Sequence, residues 1–359
     1  MSAARACSII ADTIAAYWPY AKVTAKPMAD GGEGTAQAMI AACDGRWIPR
    51  KVMGPLAGIE VDAGFAWFEK DRSALVEMAS ASGITLLSKS QLNPLKTTTF
   101  GTGQLIKTSI ARRPDRIMLA TGGSATVDMG VGAAIALGWK FLDGLDKPVG
   151  LGGAQIERIE KIIEPEKRLD CEVVVLSDVS NPLCGPDGAA RVFAPQKGAD
   201  MKMVERLEVA FARMSELIKS QLGLDVSEIP GSGSAGGLGA GAAAFMNARI
   251  TSGIETIMQL TGLERLLEDA EWVITGEGRF DKQSLGGKVF SGIYRLARQT
   301  GTKICVIAGE ARLGPAHEER NIDEIISLKP NSMTAEEAIK KAESLLRNAA
   351  VNFVEKHLN

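Results

Sequence analysis

Histidine is nearly missing from this chain: 359 residues hold two, His317 and His357, both in polar C-terminal surroundings with no Cys, Asp or Glu at metal-ligand spacing. Neither G-x-S-x-G nor H-E-x-x-H occurs, so the serine-hydrolase elbow and the zinc-protease helix are excluded. The five cysteines (Cys7, Cys43, Cys171, Cys184, Cys305) are scattered with no C-x-x-C pair, which signals neither a zinc knuckle nor a disulfide framework. No apolar run approaches the roughly 18 residues that span a bilayer, and Met1 to Pro19 reads as an amphipathic helix rather than an export signal. A basic excess is missing too: Lys plus Arg number 41 against Asp plus Glu 43, a net charge of -2. That balance argues against a nucleic-acid binder, whose affinity rests on cations facing phosphates. The expectation is a cytoplasmic protein with a small-molecule ligand and neither nucleic-acid nor membrane partner.

What the chain has is glycine, 39 of them, bunched rather than dispersed. Around the bunches, periodicity alternates between helix and strand. Cys7, Ile10, Ile14 and Trp18 mark a first helix over Ser2 to Tyr17, with Ser2 as its cap. Short strands are predicted at Lys22 to Pro27 and Trp47 to Met53, with a helix at Thr35 to Cys43 between them. Gly58 to Ala79 alternates as antiparallel strands do. Beyond it, buried strands at Arg116 to Thr121, Cys171 to Leu176, Trp272 to Thr275, Ile304 to Ala308 and Glu324 to Leu328 alternate with helices, the longest carrying Val204, Leu207, Phe211, Met214, Ile218 and Leu222 as its apolar stripe. Such alternation implies an α/β fold with a mainly parallel sheet covered on both faces.

Four glycine clusters include hydroxyl or acidic residues: 29–35, 121–126, 231–241 and 275–281. The second and fourth follow predicted strands, where an open parallel sheet binds its ligand. One Gly-Gly pair by itself marks an ordinary turn. Four clusters with Asp30, Glu33, Asp178, Glu277 and Asp281 in or near them point instead to an anionic ligand with a metal, since carboxylates beside phosphate-binding amides need a bridging cation. Phosphoryl transfer asks for these residue types. Asp178 is placed like a catalytic or metal-binding acid, and equally like a turn former before Ser180-Asn181-Pro182. Arg279 and Lys197 suit a small carboxylate or phosphate, or a solvated surface. Gly231 to Gly236 matches G-x-G-x-x-G, but Val226 to Pro230 before it contains a charge and a proline where a dinucleotide fingerprint needs a strand. Gly286-Gly287-Lys288 is followed by Val289, so it is no P-loop.

Seven phrases in order, ADGGEGT at 29–35, EMASASG at 77–83, GGSAT at 122–126, Asp178 with Asn181-Pro182-Leu183, PQKGA at 195–199, AGGLG at 235–239 and ITGEGR at 274–279, resemble the type 1 glycerate kinase family along essentially the whole chain. The resemblance implies ATP- and Mg²⁺-dependent phosphorylation of D-glycerate, leaning to 2-phosphoglycerate. It implies two domains: an outer α/β domain from both chain ends (1–54 and 286–359), with a flavodoxin-like parallel-sheet domain (55–285) inserted and the active site in the cleft. Carried onto this chain, Gly122, Gly123, Ser124, Thr126, Gly236, Gly237, Gly276 and Glu277 would handle nucleotide or phosphate. Asp178, Asp30 and Arg279 would be catalytic, Arg279, Lys197 and Glu33 would meet the substrate, and Asp178 and Asp281 would hold the metal.

The chain also departs from the family. Members usually begin with a strand leading into Asp-Ser-Phe-Lys, a stretch not found here, and tend to show Asn-Asp-Gly where this chain has Val127-Asp128-Met129. Two readings from different classes therefore stay open: a working glycerate kinase, and a non-catalytic nucleotide- or anion-binding protein of the same fold, inactive for want of that N-terminal segment. A dehydrogenase is disfavoured by the poor fingerprint.

Overall fold

The computed structural model describes residues 1–29, 31–32, 34–281, 288–312, 322–330 and 332–358. In chain order its elements are α1 (Ala3–Tyr17), α2 (Thr35–Cys43), β1 (Arg46–Met53), β2 (Glu60–Phe68), β3 (Ser73–Glu77), α3 (Ala79–Ser82), α4 (Phe100–Ile110), β4 (Arg116–Ala120), α5 (Val131–Ala136), β5 (Lys140–Leu142), β6 (Lys161–Ile163) and β7 (Glu172–Leu176). There follow α6 (Ala189–Phe193), α7 (Met201–Leu222), α8 (Ser234–Met246), β8 (Arg249–Thr251), α9 (Gly253–Thr261), α10 (Leu263–Glu268), β9 (Trp272–Asp281), α11 (Lys288–Thr300), β10 (Lys303–Arg312), β11 (Glu324–Ser327), α12 (Ala335–Lys340) and α13 (Ala342–His357). They divide into a terminal unit (Met1–Ala29, Gln37–Cys43, Ile254–Asn359) and a central unit (Asp30–Ala36, Asp44–Gly253). The fold class is α/β.

In the central unit six strands pair in the order β1-β2-β3-β4-β7-β8. β1 and β2 are antiparallel to their neighbours, and β3, β4, β7 and β8 run parallel. The near-continuous apolar runs of β3 (SALVE), β4 (RIMLA) and β7 (EVVVL) suit strands covered on both faces. Their register brings Glu77 opposite Ala120, Ala120 opposite Leu176 and Leu176 opposite Thr251. The four parallel strands thus end level, and the segments that follow them emerge side by side. α7 starts where the Asp200 carboxylate accepts the Met203 N–H at 2.8 Å, and it buries Val204, Leu207, Phe211, Met214 and Ile218 as the periodicity predicts. Each such large side chain contributes on the order of 1.5–3 kcal/mol.

The terminal unit has a three-stranded parallel sheet, with β10 between β11 and β9. Alternation along β10 separates two layers: Cys305 and Ile307 pack with Ile9, Ile14, Leu346 and Phe353 of α1 and α13, while Ile304, Val306 and Ala308 pack with α9, α10 and α11. Ser2 caps α1 by accepting the Arg5 N–H. The fully buried residues of α1 are Ile9, Thr13 and Ile14, flanked by the partly buried Ile10 and Trp18.

Two sequence expectations are corrected. Lys22 to Pro27 forms no strand; its one large apolar residue, Val23, is exposed, and Pro27 has no N–H to give a ladder. The strand beginning at Trp272 continues to Asp281, paired with β10, so Gly276 to Arg279 lie within it rather than in a following loop. β1 pairs along its whole length with β2 of the central unit, and 254–281 supply core and sheet of the terminal one.

Candidate active site

The level carboxyl ends of β3, β4, β7 and β8 gather the candidate residues of the central unit. After β4, the Thr121 hydroxyl donates to the Leu176 carbonyl at 3.0 Å, and the Gly122 N–H to the Gly31 carbonyl at 3.1 Å. A β-carbon on Gly122 would stand 2.4 Å from the Gly32 Cα, so only glycine lets these backbones meet. The EMASASG segment holds the same loop from its other side: Ile84 N–H donates to the Gly123 carbonyl at 2.8 Å and Ala125 N–H to the Ser82 carbonyl at 2.9 Å. Beside it runs the AGGLG segment, where Ala235, Gly236 and Gly237 are left-handed in succession; a β-carbon on Gly236 would meet the Thr126 carbonyl oxygen at 2.1 Å.

Lys197 comes up beneath this loop. It is 2% exposed, and its Nζ donates to Ser124 Oγ at 2.6 Å and to the Thr126 carbonyl at 2.8 Å. The solvated-cation reading therefore fails for it. Burial pushes its ammonium down from 10.5 to about 7, with the Asp128 charge opposing. Asp128, 1% exposed, accepts from Thr99 N and Oγ1 at 2.7 and 3.0 Å and from the Gly130 and Gly132 amides at 3.2 and 3.3 Å. Burial raises its carboxyl, and the four donors oppose that rise.

Asp178 follows β7. Its Oδ1 accepts from Ser252 Oγ at 2.9 Å and from Gly253 N–H at 3.0 Å, while Oδ2 is buried without a hydrogen-bond partner. Thr126 Oγ1, Ser232 Oγ and Ser234 Oγ are buried and unpartnered as well. A buried carboxylate oxygen left without a donor calls for a ligand, proton or ion. Val226 to Pro230 form no strand before the G-x-G-x-x-G match, which removes the dinucleotide reading's structural context.

In the terminal unit, Gly276, Glu277, Arg279 and Asp281 lie along β9, opposite Ile307, Ala308, Glu310 and Arg312. Arg279, with a side chain 57% exposed, stands 3.8 Å from Glu310, which also faces Arg312 at 3.1 Å and Lys329 at 3.5 Å. The Arg312 hydrogen bond, with the charges of Arg312 and Lys329, holds the Glu310 carboxyl below its ordinary range. Asp30, Glu33 and Gly286-Gly287 lie outside the described residues. Among those described, no group of three or more His, Cys, Asp or Glu could hold a metal, and no helix is long and apolar enough to cross a membrane.

The structure thus brings together Gly122, Gly123, Ser124, Thr126, Lys197 and Gly236 around one loop, and orients Asp178 from the neighbouring strand. The sequence reading assigned nothing to Asp128 or to Glu77, whose buried carboxylate accepts the Ala36 N–H at 2.6 Å. An acidic residue within a glycine-hydroxyl phrase was the only signal for either.

A glycine-loop site at the carboxyl edge of a parallel sheet, with a buried lysine and an open carboxylate, has the components of a phosphotransferase. The chain belongs to the glycerate kinase family, whose model matches residues 1–357, and it is a kinase. It is 41% identical over 342 residues to a glycerate kinase of Halalkalibacterium halodurans, covering 93% of this chain and 89% of that one. It is 38% identical over 359 residues to the glycerate 2-kinase of Escherichia coli strain K12, covering 98% and 93%. A crystal structure from Salmonella typhimurium LT2, provisionally named glycerate kinase 2, superposes with a TM-score of 0.88 at 38% identity, covering 99% of this chain and 94% of that one.

Proposed function

We propose that the protein transfers the γ-phosphoryl group of ATP to D-glycerate, with 2-phosphoglycerate as product, in the cytoplasm. The observation that carries the reading is the buried, unpartnered Oδ2 of Asp178 beside the glycine loop. Ser252 and Gly253 fix Oδ1, so Oδ2 is the atom left to take the proton of the attacking hydroxyl. As that O–H bond breaks, the hydroxyl oxygen forms its bond to the γ-phosphorus and the bond to the ADP oxygen breaks. The loop Gly122–Thr126, with Gly236 and Gly237 beside it, would hold phosphate oxygens. A hard carboxylate oxygen without a partner also fits Mg²⁺, which commonly takes one or two carboxylates and fills its shell with water and phosphate. When bound, the ion would neutralise charge on the phosphates.

The test is an ADP-release assay with glycerate, with other small hydroxy acids and without acceptor, the product identified by ³¹P NMR. ADP release dependent on glycerate, with the phosphate on the 2-hydroxyl, supports the reading. Release that ignores the acceptor, or none with glycerate, overturns it.

A further inference from the structure

Ser124 and Lys197 differ in a way that assigns them different roles. Ser124 is 9% exposed at the loop, whereas Lys197 is 2% exposed beneath it. Because Ser124 Oγ accepts the Lys197 N–H, its own proton has to point elsewhere, and the hydroxyl becomes a donor. Asp128 collects donors from the start of α4 through Thr99 and from the start of α5 through Gly130 and Gly132. Burial raises the Asp128 carboxyl, and the four donors oppose that rise.

The geometry points to a buried positioning pair, Lys197 and Ser124: Lys197 turns the Ser124 hydroxyl outward as a donor to a phosphate oxygen, while Asp128 ties together the starts of α4 and α5. This rests on the reading that the loop Gly122–Thr126 faces phosphate. Lys197 then acts through Ser124 rather than by touching the ligand. Asp128 is the charge that acts on Lys197, and it raises the ammonium against the lowering by burial. The loop is also tied to Thr97, whose hydroxyl donates to the Ala125 carbonyl at 2.9 Å.

The test uses the full chain labelled with [ε-¹³C]lysine and titrated by ¹³C NMR, the Lys197 signal being assigned by its loss in Lys197→Met. Lys197 should titrate well below the other lysines. It should move lower still in Asp128→Asn, which removes the opposing charge, and in Ser124→Ala, which removes an acceptor of the ammonium. Ser124→Ala touches no helix start, so it keeps the test decisive if Asp128→Asn does not fold. Calorimetry with ATP is the second arm: affinity should fall as Lys197 loses its proton, and by roughly three- to tenfold in Ser124→Ala. A Lys197 signal that titrates with the bulk lysines, no ATP binding, or ATP affinity indifferent to pH through the Lys197 titration overturns the pair. Neither arm contains glycerate, so failure of the glycerate reading would show only in the ADP-release assay.

Discussion

Asp178 uses its two carboxylate oxygens separately, and that makes its role testable. In Asp178→Asn the amide oxygen can still accept from Ser252 and Gly253, so the strand-end geometry survives while the proton acceptor at the other position is lost. Turnover should fall by about a hundredfold or more with little change in the melting temperature; a variant with near-normal kcat would remove Asp178 from the chemistry. Lys197 makes a second residue-scale prediction, in stability. The folded chain holds this lysine near 7 and the unfolded chain returns it to about 10.5. Between those values the unfolded state carries a proton that the folded state lacks, so stability rises with pH through the window and the full burial cost stands below it. Denaturant unfolding of wild type and Lys197→Met should show this directly, with the wild-type value gaining on the variant from pH 7 to pH 10. A constant difference would mean that the lysine is not desolvated. Lysine is ordinarily a surface residue, so its composition signal pointed to solvent; burial here depends on partners distant in sequence, Ser124 and Thr126, which no local pattern shows.

At the scale of elements, legibility followed continuity of pattern. β3, β4 and β7 were readable because strands covered on both faces leave uninterrupted apolar runs, and α7 because its stripe persists over 22 residues. The sequence pattern ends β9 at Thr275, because Gly276-Glu277-Gly278 looks like a turn. The glycine is instead needed for pairing, since a β-carbon on Gly276 would stand 2.5 Å from the Ile307 carbonyl oxygen. Met129, buried at φ 51°, adopts the conformation that glycine takes with least strain, at the position where the family resemblance tends to place glycine. Loop shape can be separated from simple strain by comparing two substitutions. Gly223→Ala, at φ 73° after α7 with nothing within 4 Å of the new β-carbon, should cost about 1–2 kcal/mol and leave activity unchanged. Gly236→Ala adds a backbone collision with Thr126 to the same strain, and should cost at least about 3 kcal/mol and depress ATP affinity. Equal effects of the two on melting and affinity would mean that the close approach of the 122–126 and 235–239 loops has no functional weight.

For the molecule as a whole, the discontinuous layout came from resemblance rather than periodicity, and its limits were placed where the strand pattern changes. β1 pairs with β2 over eight consecutive residues, and β9 with β10 over nine positions in register. Charge gives the last prediction. A chain with 41 basic and 43 acidic side chains has no overall field to concentrate a polyanionic nucleotide, so neutralisation of phosphate charge has to be local. Locally the central unit supplies one buried ammonium, Lys197, itself held down to about 7, while Asp178 after β7 brings a carboxylate oxygen without a hydrogen-bond partner. The missing positive charge is what a divalent cation would bring. Turnover should therefore vanish on chelation and return with Mg²⁺, and the KM for ATP should change by less than about threefold between low and physiological ionic strength, because charges buried with their ligand are screened far less than exposed ones. Turnover that persists in excess chelator would place the compensating charge on the protein, and a steep salt dependence would place it on exposed lysines and arginines.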